Sequence, residues 1–403
     1  MILGHNKPFI ASFSMFFFPL VLITLFLPSK AAAQNAPCSP EPTDMTISHA
    51  VGLTCAIDQA GDTDLFRFSA TAGTQVRLFF ARTSGPGTPC VSLFDSGGVN
   101  VLPTYGCTAD SLASHINLTT TGVYTIQVNE DRDDSTASYS VTIYQLVPLP
   151  PTARAIEFEQ TLAGDINPVG EIDVIYFDGT AGTQVRLFFA RTSGPGTPCL
   201  SLLNSGGTDE LPTYGCTNDS LTSHITLSTT GVYTIRIYED RDDANASYSV
   251  TLYQLSPLPP NAITMQLGQT FTGDLNPVGD IDLFSFNASA GTGVRVFFSR
   301  TSGPGTPCLS LLNSGGADEF PSYGCTTTSV TRDVTLSTTG VYTIRLYEEG
   351  RSDSTASYSI SLQCLSLCLP PPPAVSTTSY MPHLALGEGG RRRSHTSTTL
   401  RTP

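Results

Sequence analysis

The twenty residues from Thr71 to Cys90, TAGTQVRLFFARTSGPGTPC, return unchanged from Thr180 to Cys199, and a third version, SAGTGVRVFFSRTSGPGTPC, runs from Ser289 to Cys308. The closing cysteines Cys90, Cys199 and Cys308 are 109 residues apart each time. Such a chain must fold as one unit made three times, and any function has to hold for that unit. The period exceeds the ~20–50 residues of solenoid and propeller repeats. A stretch of ~110 residues can enclose its own core. The expectation is three independent units in a row.

Within a unit the hydrophobic pattern has a period of two. Tyr342, Ile344 and Leu346 alternate with polar residues, as do Tyr358, Ile360 and Leu362, while Val294, Val296 and Phe298 alternate with Gly293, Arg295 and Phe297. Short alternating segments broken by Gly, Pro, Asn and Ser indicate half-buried antiparallel strands, about eight per unit, with no convincing helix. The fold class expected is all-β, three tandem antiparallel β-sandwich domains of jelly-roll-like type.

Proline marks the joints. Pro148-Leu149-Pro150-Pro151 and Pro257-Leu258-Pro259-Pro260 recur at the repeat period, and Pro370 to Pro373 follow the third copy. The divisions are therefore 38–147, 148–256 and 257–368, with a Pro-rich and then disordered tail over 369–403. Pro-rich joints lean toward extended, semi-rigid spacers. Residues 1–33 have the layout of a secretory signal peptide: Lys7, an apolar run from Phe16 to Leu27, and Ala31-Ala32-Ala33. That run is too short to span a bilayer, which needs ~20 apolar residues. Without residues 1–33 the chain loses Lys7 and Lys30 and no acid, so its charge moves from −14 to −16 and all its remaining basic residues are arginine. An acidic chain with no basic cluster outside the tail is not built for nucleic acid.

All ten cysteines follow the leader, which in an exported chain argues for disulfides. The midpoint of Cys90 and Cys107 falls just after Gly97-Gly98, as that of Cys199 and Cys216 falls after Gly206-Gly207, and that of Cys308 and Cys325 after Gly315-Gly316. A Gly-Gly turn with equal arms sets each pair opposite across a hairpin, ~4.5–5.5 Å apart at Cα. Cys38 and Cys55 have the same spacing but no glycine at the turn between them. Cys364 and Cys368 would lie ~13 Å apart in a straight strand, so a bond between them requires a turn at Leu365-Ser366-Leu367.

The order of motifs resembles a known family. Gly279-Asp280-Ile281-Asp282-Leu283-Phe284-Ser285-Phe286 is followed by Ala290-Gly291-Thr292, then Thr338-Thr339-Gly340-Val341-Tyr342-Thr343-Ile344, then Ala356-Ser357-Tyr358-Ser359. This is similar to the bacterial pre-peptidase C-terminal domain, a β-sandwich module appended to secreted proteases and related to the collagen-binding modules of clostridial collagenases. The resemblance covers all three repeats, roughly residues 38 to 364. It implies an accessory role, with matrix or polysaccharide as partner, and calcium in the related modules. No peptidase domain stands between the leader and the first repeat, a departure from the usual context.

No catalytic motif of the GxSxG, HExxH or P-loop kind occurs. His115 and His224 occupy equivalent positions near Asp110 and Asp219, but the third copy has Asp333 there, which argues for a surface role. Asp62 and Asp64, Glu171 and Asp173, and Asp280 and Asp282 make an acid-x-acid pair at one strand entry per copy. Residues two apart on a strand share a face, so each pair is a candidate for a hard cation such as calcium. Asn167, Asn276, Glu157 and Glu159 are further candidate ligands; the bland alternative is a solvated strand end. The loops Glu130–Asp134 and Glu239–Asp243 read as exposed hairpin tips, because the third copy carries an insertion there. Tyr105, Tyr214 and Tyr323 are the best placed aromatics for a carbohydrate. The expected function is a secreted, non-catalytic array binding matrix protein or polysaccharide. Accessory status to a hydrolase and an inert spacer are the alternatives.

Overall fold

The computed structural model describes residues 36–38, 43–103, 106–211, 215–320, 324–348 and 354–368. The segment read as a signal peptide, the tail over 369–403, and Tyr105, Tyr214 and Tyr323 lie outside the described residues. Every named element is a β-strand. The second repeat shows the plan. One sheet sets Arg154–Ala155, Ile172–Gly179, Gly231–Glu239 and Pro198–Leu203 side by side in that order. The other sets Gln160–Ile166, Ala246–Ser256, Gln184–Ser193 and Ser220–Thr226. Successive strands fall in opposite sheets, so the chain crosses the core at each connection, a jelly-roll course. The third repeat has the same order, and the first adds the strand Ala36–Pro37 at the edge of one sheet.

Alternation does what the pattern predicts. Tyr233, Ile235 and Ile237 from one sheet meet Tyr248, Val250 and Leu252 from the other, all fully buried. Burying such side chains contributes ~1.5–3 kcal/mol apiece, so the hydrophobic term carries each sandwich. The Thr-Thr-Gly-x-Tyr motif also has a cause. Tyr233 Oη donates to the Thr229 carbonyl at 3.0 Å and accepts from the Thr229 amide at 3.0 Å. Tyr124 with Thr120 and Tyr342 with Thr338 repeat this bond, which pins the strand entry.

Five disulfides are formed: Cys38–Cys55, Cys90–Cys107, Cys199–Cys216, Cys308–Cys325 and Cys364–Cys368. The expected cysteines meet and Phe94 lies opposite Asn100 across the Gly-Gly turn, but the arms are unequal: Cys90 is four residues before Phe94 and Cys107 seven after Asn100, so the return arm carries three extra residues. Cys38 reaches Cys55 differently, because Ala36–Pro37 runs parallel to Leu53–Thr54. At the C-terminal end the strand continues to Ser366, so the turn expected over Leu365-Ser366-Leu367 falls on the last of these residues. Leu367 then adopts a left-handed conformation at φ 54°, bringing the cysteine Cα atoms to 6.0 Å.

The units pack against one another. Phe79, Tyr144 and Leu146 of the first repeat are buried against Ile172 and Val174 of the second. Tyr253 and Leu255 of the second meet Ile281 and Leu283 of the third. The strand Gln75–Ser84 is apolar on both faces, with Phe80 turned into its own core and Phe79 toward the next unit. The proline joints lie on these interfaces, with Leu149, Ala153, Leu258 and Ala262 packed against the junction clusters.

Candidate functional site

The segment that repeats without change is held by bonds of its own. In the second copy Arg191 donates from Nη1 to the Gly194 carbonyl at 2.7 Å and from Nε to the Asn218 carbonyl at 2.9 Å. Gly194 has φ 90°, and a Cβ there would stand 2.7 Å from the Asn245 carbonyl oxygen. Glu239 is buried beneath the loop. One of its carboxylate oxygens accepts from the Thr197 amide at 3.0 Å, the other from the Arg241 and Asp243 amides at 3.0 and 3.2 Å. The Glu239 carboxylate thus ties the Ser-Gly-Pro-Gly-Thr loop to the acidic loop. Glu130 does the same in the first copy, and the Thr88 amide, with those of Arg132 and Asp134, holds that carboxyl below its ordinary range.

Between the two loops of the second repeat lies a polar cleft of about 600 Å³, lined by Thr197, Asn218, Asp240, Arg241 and Asp243 over the Cys216 disulfide. The acidic loop is therefore one wall of a concavity as well as a hairpin tip. Among the described residues, the sets of three metal-type ligands close enough to share an ion are Cys90, Cys107 and Asp131, and Cys199, Cys216 and Asp240. Their sulfurs are bonded to each other, which leaves no thiolate to ligate.

The two members of each acid-x-acid pair engage different protein donors. The first member of each pair precedes its strand and turns back into the entry loop. Asp62 accepts from the Thr63 amide at 2.8 Å, Glu171 from the Asn167 amide at 2.9 Å, and Asp280 from the Asn276 amide at 3.0 Å. The second member lies on the strand and bonds across to a tyrosine of the other sheet. Tyr139 donates to Asp64, Tyr248 to Asp173 at 2.6 Å, and Tyr358 to Asp282 at 2.6 Å. Because the first acid is outside the pleat, the period-two argument does not apply to it. Asn167 and Asn276 offer their amides to these acids as donors. Glu157 and Glu159 are exposed beside the turn before Gln160.

His115 and His224 stand beside arginines. His115 is opposite Arg77 in register and His224 opposite Arg186. Burial of part of the ring, then Arg77 and Arg236, push His115 down to about 4; burial, then Arg186 and Arg345, do the same to His224. Arg236 and Arg345 belong to the following repeat in each case.

The residues that sequence reasoning passed over are those of the junctions. Arg77 is 1% exposed; its guanidinium donates to the Gly170 carbonyl and pairs with Asp242 of the second repeat. Arg186 donates to the Gly279 carbonyl in the same way. Burial pulls the Arg186 guanidinium down to about 10. A Cβ on Gly170 would lie 2.3 Å from the Phe79 ring, and one on Gly279 2.3 Å from Phe188. Arg77, Phe79 and Gly170 have the same residue types in every copy, so the available signal lay in their neighbours, such as Ile172 against Thr63 and Arg236 against Gln127.

No family model matches the chain, and no curated protein does. Among solved structures, the chain is similar to the pre-peptidase C-terminal domain of a collagenase from Bacillus anthracis, at 18% identity over 26% of this chain and 97% of that one, with a TM-score of 0.21. It is also similar to the tandem CBM22-1–CBM22-2 domains of Xyn10C from Paenibacillus barcinonensis, at 12% identity over 54% of this chain and 100% of that one, with a TM-score of 0.18. A triple jelly-roll protein of an archaeal virus matches 78% of this chain and 83% of its own at 11% identity, with a TM-score of 0.15. Scores this low carry no functional assignment.

Proposed function

We propose that the chain acts outside the cell as a non-catalytic array of three β-sandwich modules that binds matrix protein or polysaccharide. The observation that carries this reading is the polar cleft between the Ser-Gly-Pro-Gly-Thr loop and the acidic loop, whose framework of bonds recurs from copy to copy. The five disulfides suit an oxidising compartment. No helix among the described residues is long and apolar enough to cross a membrane. Weak binding at one cleft gains from repetition when several clefts engage one polymer, because the later contacts form at high effective concentration. Packed junctions help by fixing the spacing between clefts.

The test is retention of the chain without its leader on collagen, cellulose, chitin and cell-wall polysaccharide, with an Arg132→Ala, Arg241→Ala variant beside it. Both arginines are exposed on the acidic loop, so their removal should spare the fold and abolish retention. No retention on any polymer, or retention indifferent to the variant, would overturn the reading. A spacer role is the second reading, favoured by the packed junctions themselves.

A further inference from the structure

The three copies differ at many positions, and one group of these differences gathers at the junctions. At the entry side of the second and third repeats stand Asn167-Pro168-Val169-Gly170 and Asn276-Pro277-Val278-Gly279, then Ile172 and Ile281, Arg236 and Arg345, and Tyr238 and Tyr347. All of these lie at or beside a junction. The first repeat, on whose entry side no described repeat docks, carries Asp58-Gln59-Ala60-Gly61, Thr63, Gln127 and Asn129 at the same positions. Thr63 is exposed, and a Cβ on Gly61 would meet nothing within 4 Å, where one on Gly170 strikes Phe79.

The exit side shows the reverse. Arg77, Phe79, His115, Tyr144 and Leu146 of the first repeat receive the second, and Arg186, Phe188, His224, Tyr253 and Leu255 receive the third. In the third repeat strand pairing places Arg295, Phe297, Asp333, Gln363 and Leu365 on the same face. Phe297 and Leu365 are 37% and 47% exposed. Arg295, instead of seeking a carbonyl of a following unit, makes a two-pronged pair with Asp333 at 2.7 and 2.7 Å. Docking on that face would require burying a satisfied surface ion pair, which costs more than its attraction returns. Gln363 also removes the ring that in the second repeat lies under Arg186, 5.6 Å from its guanidinium carbon.

We infer that the exit face of a repeat is a docking surface whose partner is the entry edge of another repeat of this kind, and that both terminal faces are altered so that the chain neither extends nor joins a second copy. A head-to-tail contact that does not close on itself would otherwise generate filaments. The inference is independent of what the clefts bind.

Two full-chain variants test it. One opens the entry face: Asp58→Asn, Gln59→Pro, Ala60→Val, Thr63→Ile, Gln127→Arg and Asn129→Tyr. The other opens the exit face: Asp333→His and Gln363→Tyr. Sedimentation velocity should show the unmodified chain and each variant alone as monomers, and the equimolar mixture as a dimer that grows no further. Self-association of the unmodified chain, or a monomeric mixture of two folded variants, would overturn the inference. A converse measurement covers a misfolded variant. His115→Asp with Tyr144→Gln places exit-cap residues inside the array, and small-angle scattering should then report a bent or flexible particle with unchanged β content. An unaltered scattering profile would equally overturn it.

Discussion

Tyr248 donates its phenolic proton to Asp173 at 2.6 Å, joining the two sheets of the second repeat across 75 residues of chain. Arg154 donates to the same phenol oxygen at 2.7 Å. Burial, then the neighbouring Asp173 charge, push the Tyr248 phenol well above its ordinary value, so it stays a proton donor throughout the working range. Tyr248→Phe leaves a buried carboxylate without that donor and should cost about 1–3 kcal/mol. Chemical denaturation of the whole chain should show this loss without a change in β content.

Gly170→Ala and Gly61→Ala form a matched pair. Both glycines have left-handed φ, 80° and 81°, so the local strain is alike, but only the Gly170 Cβ would collide with Phe79. Each substitution should cost roughly 1–2 kcal/mol from backbone strain. Only Gly170→Ala should also loosen the first junction, seen as a broader distance distribution in small-angle scattering.

Peptide mapping without reduction should recover Cys90 with Cys107, Cys199 with Cys216, and Cys308 with Cys325, as the folded pairs require. A link between repeats would contradict the hairpin. Replacing Cys199 and Cys216 by alanine should lower stability by roughly 3 kcal/mol, the chain-entropy value for a loop of this length.

The junction histidines give acid sensitivity of a definite sign. His115 and His224 are held at about 4, below their ordinary 6.5. Their contribution is fully present above pH 6.5 and is lost as pH falls through about 4. Asp282, pushed up to about 6 chiefly by burial, acts oppositely, its contribution present below 3.8 and lost as pH rises through about 6. Asp242, which burial also raises, acts in the same sense as Asp282. His115→Asn with His224→Asn leaves both acids in place. Between pH 6.5 and 4 the double variant should therefore lose less stability than the parent, and identical pH profiles would contradict the histidine assignment.

Calcium should leave the melting curve where EDTA leaves it. Binding at ~100 times Kd would add ~2.7 kcal/mol and move the midpoint by several degrees. The paired acids instead accept protein donors, Glu171 from Asn167 and Asp173 from Tyr248. A calcium-dependent rise of several degrees would contradict this assignment of the carboxylates.

Much of one repeat was legible beforehand because its information is local. Alternation along Gly231–Glu239 and Ala246–Ser256 specifies which face is buried, since a one-residue slip would turn every side chain over. The seventeen-residue spacing that recurs about each Gly-Gly segment specifies which cysteines meet. Neither inference needs a distant residue. The destination of an outward-facing side chain is a different kind of question. Phe79 and Phe297 hold equivalent places in equivalent strands, yet one is 3% exposed and the other 37%. What separates them is whether a further unit arrives, and no local pattern contains that. The acids divide for a related reason. Asp173 stands on its strand and reaches the opposite sheet, while Glu171 stands one step before the strand begins and reaches only the loop. Strand period and cysteine symmetry are properties of the chain itself; burial at a junction and the aim of a carboxylate at a strand end are properties of what packs beside them.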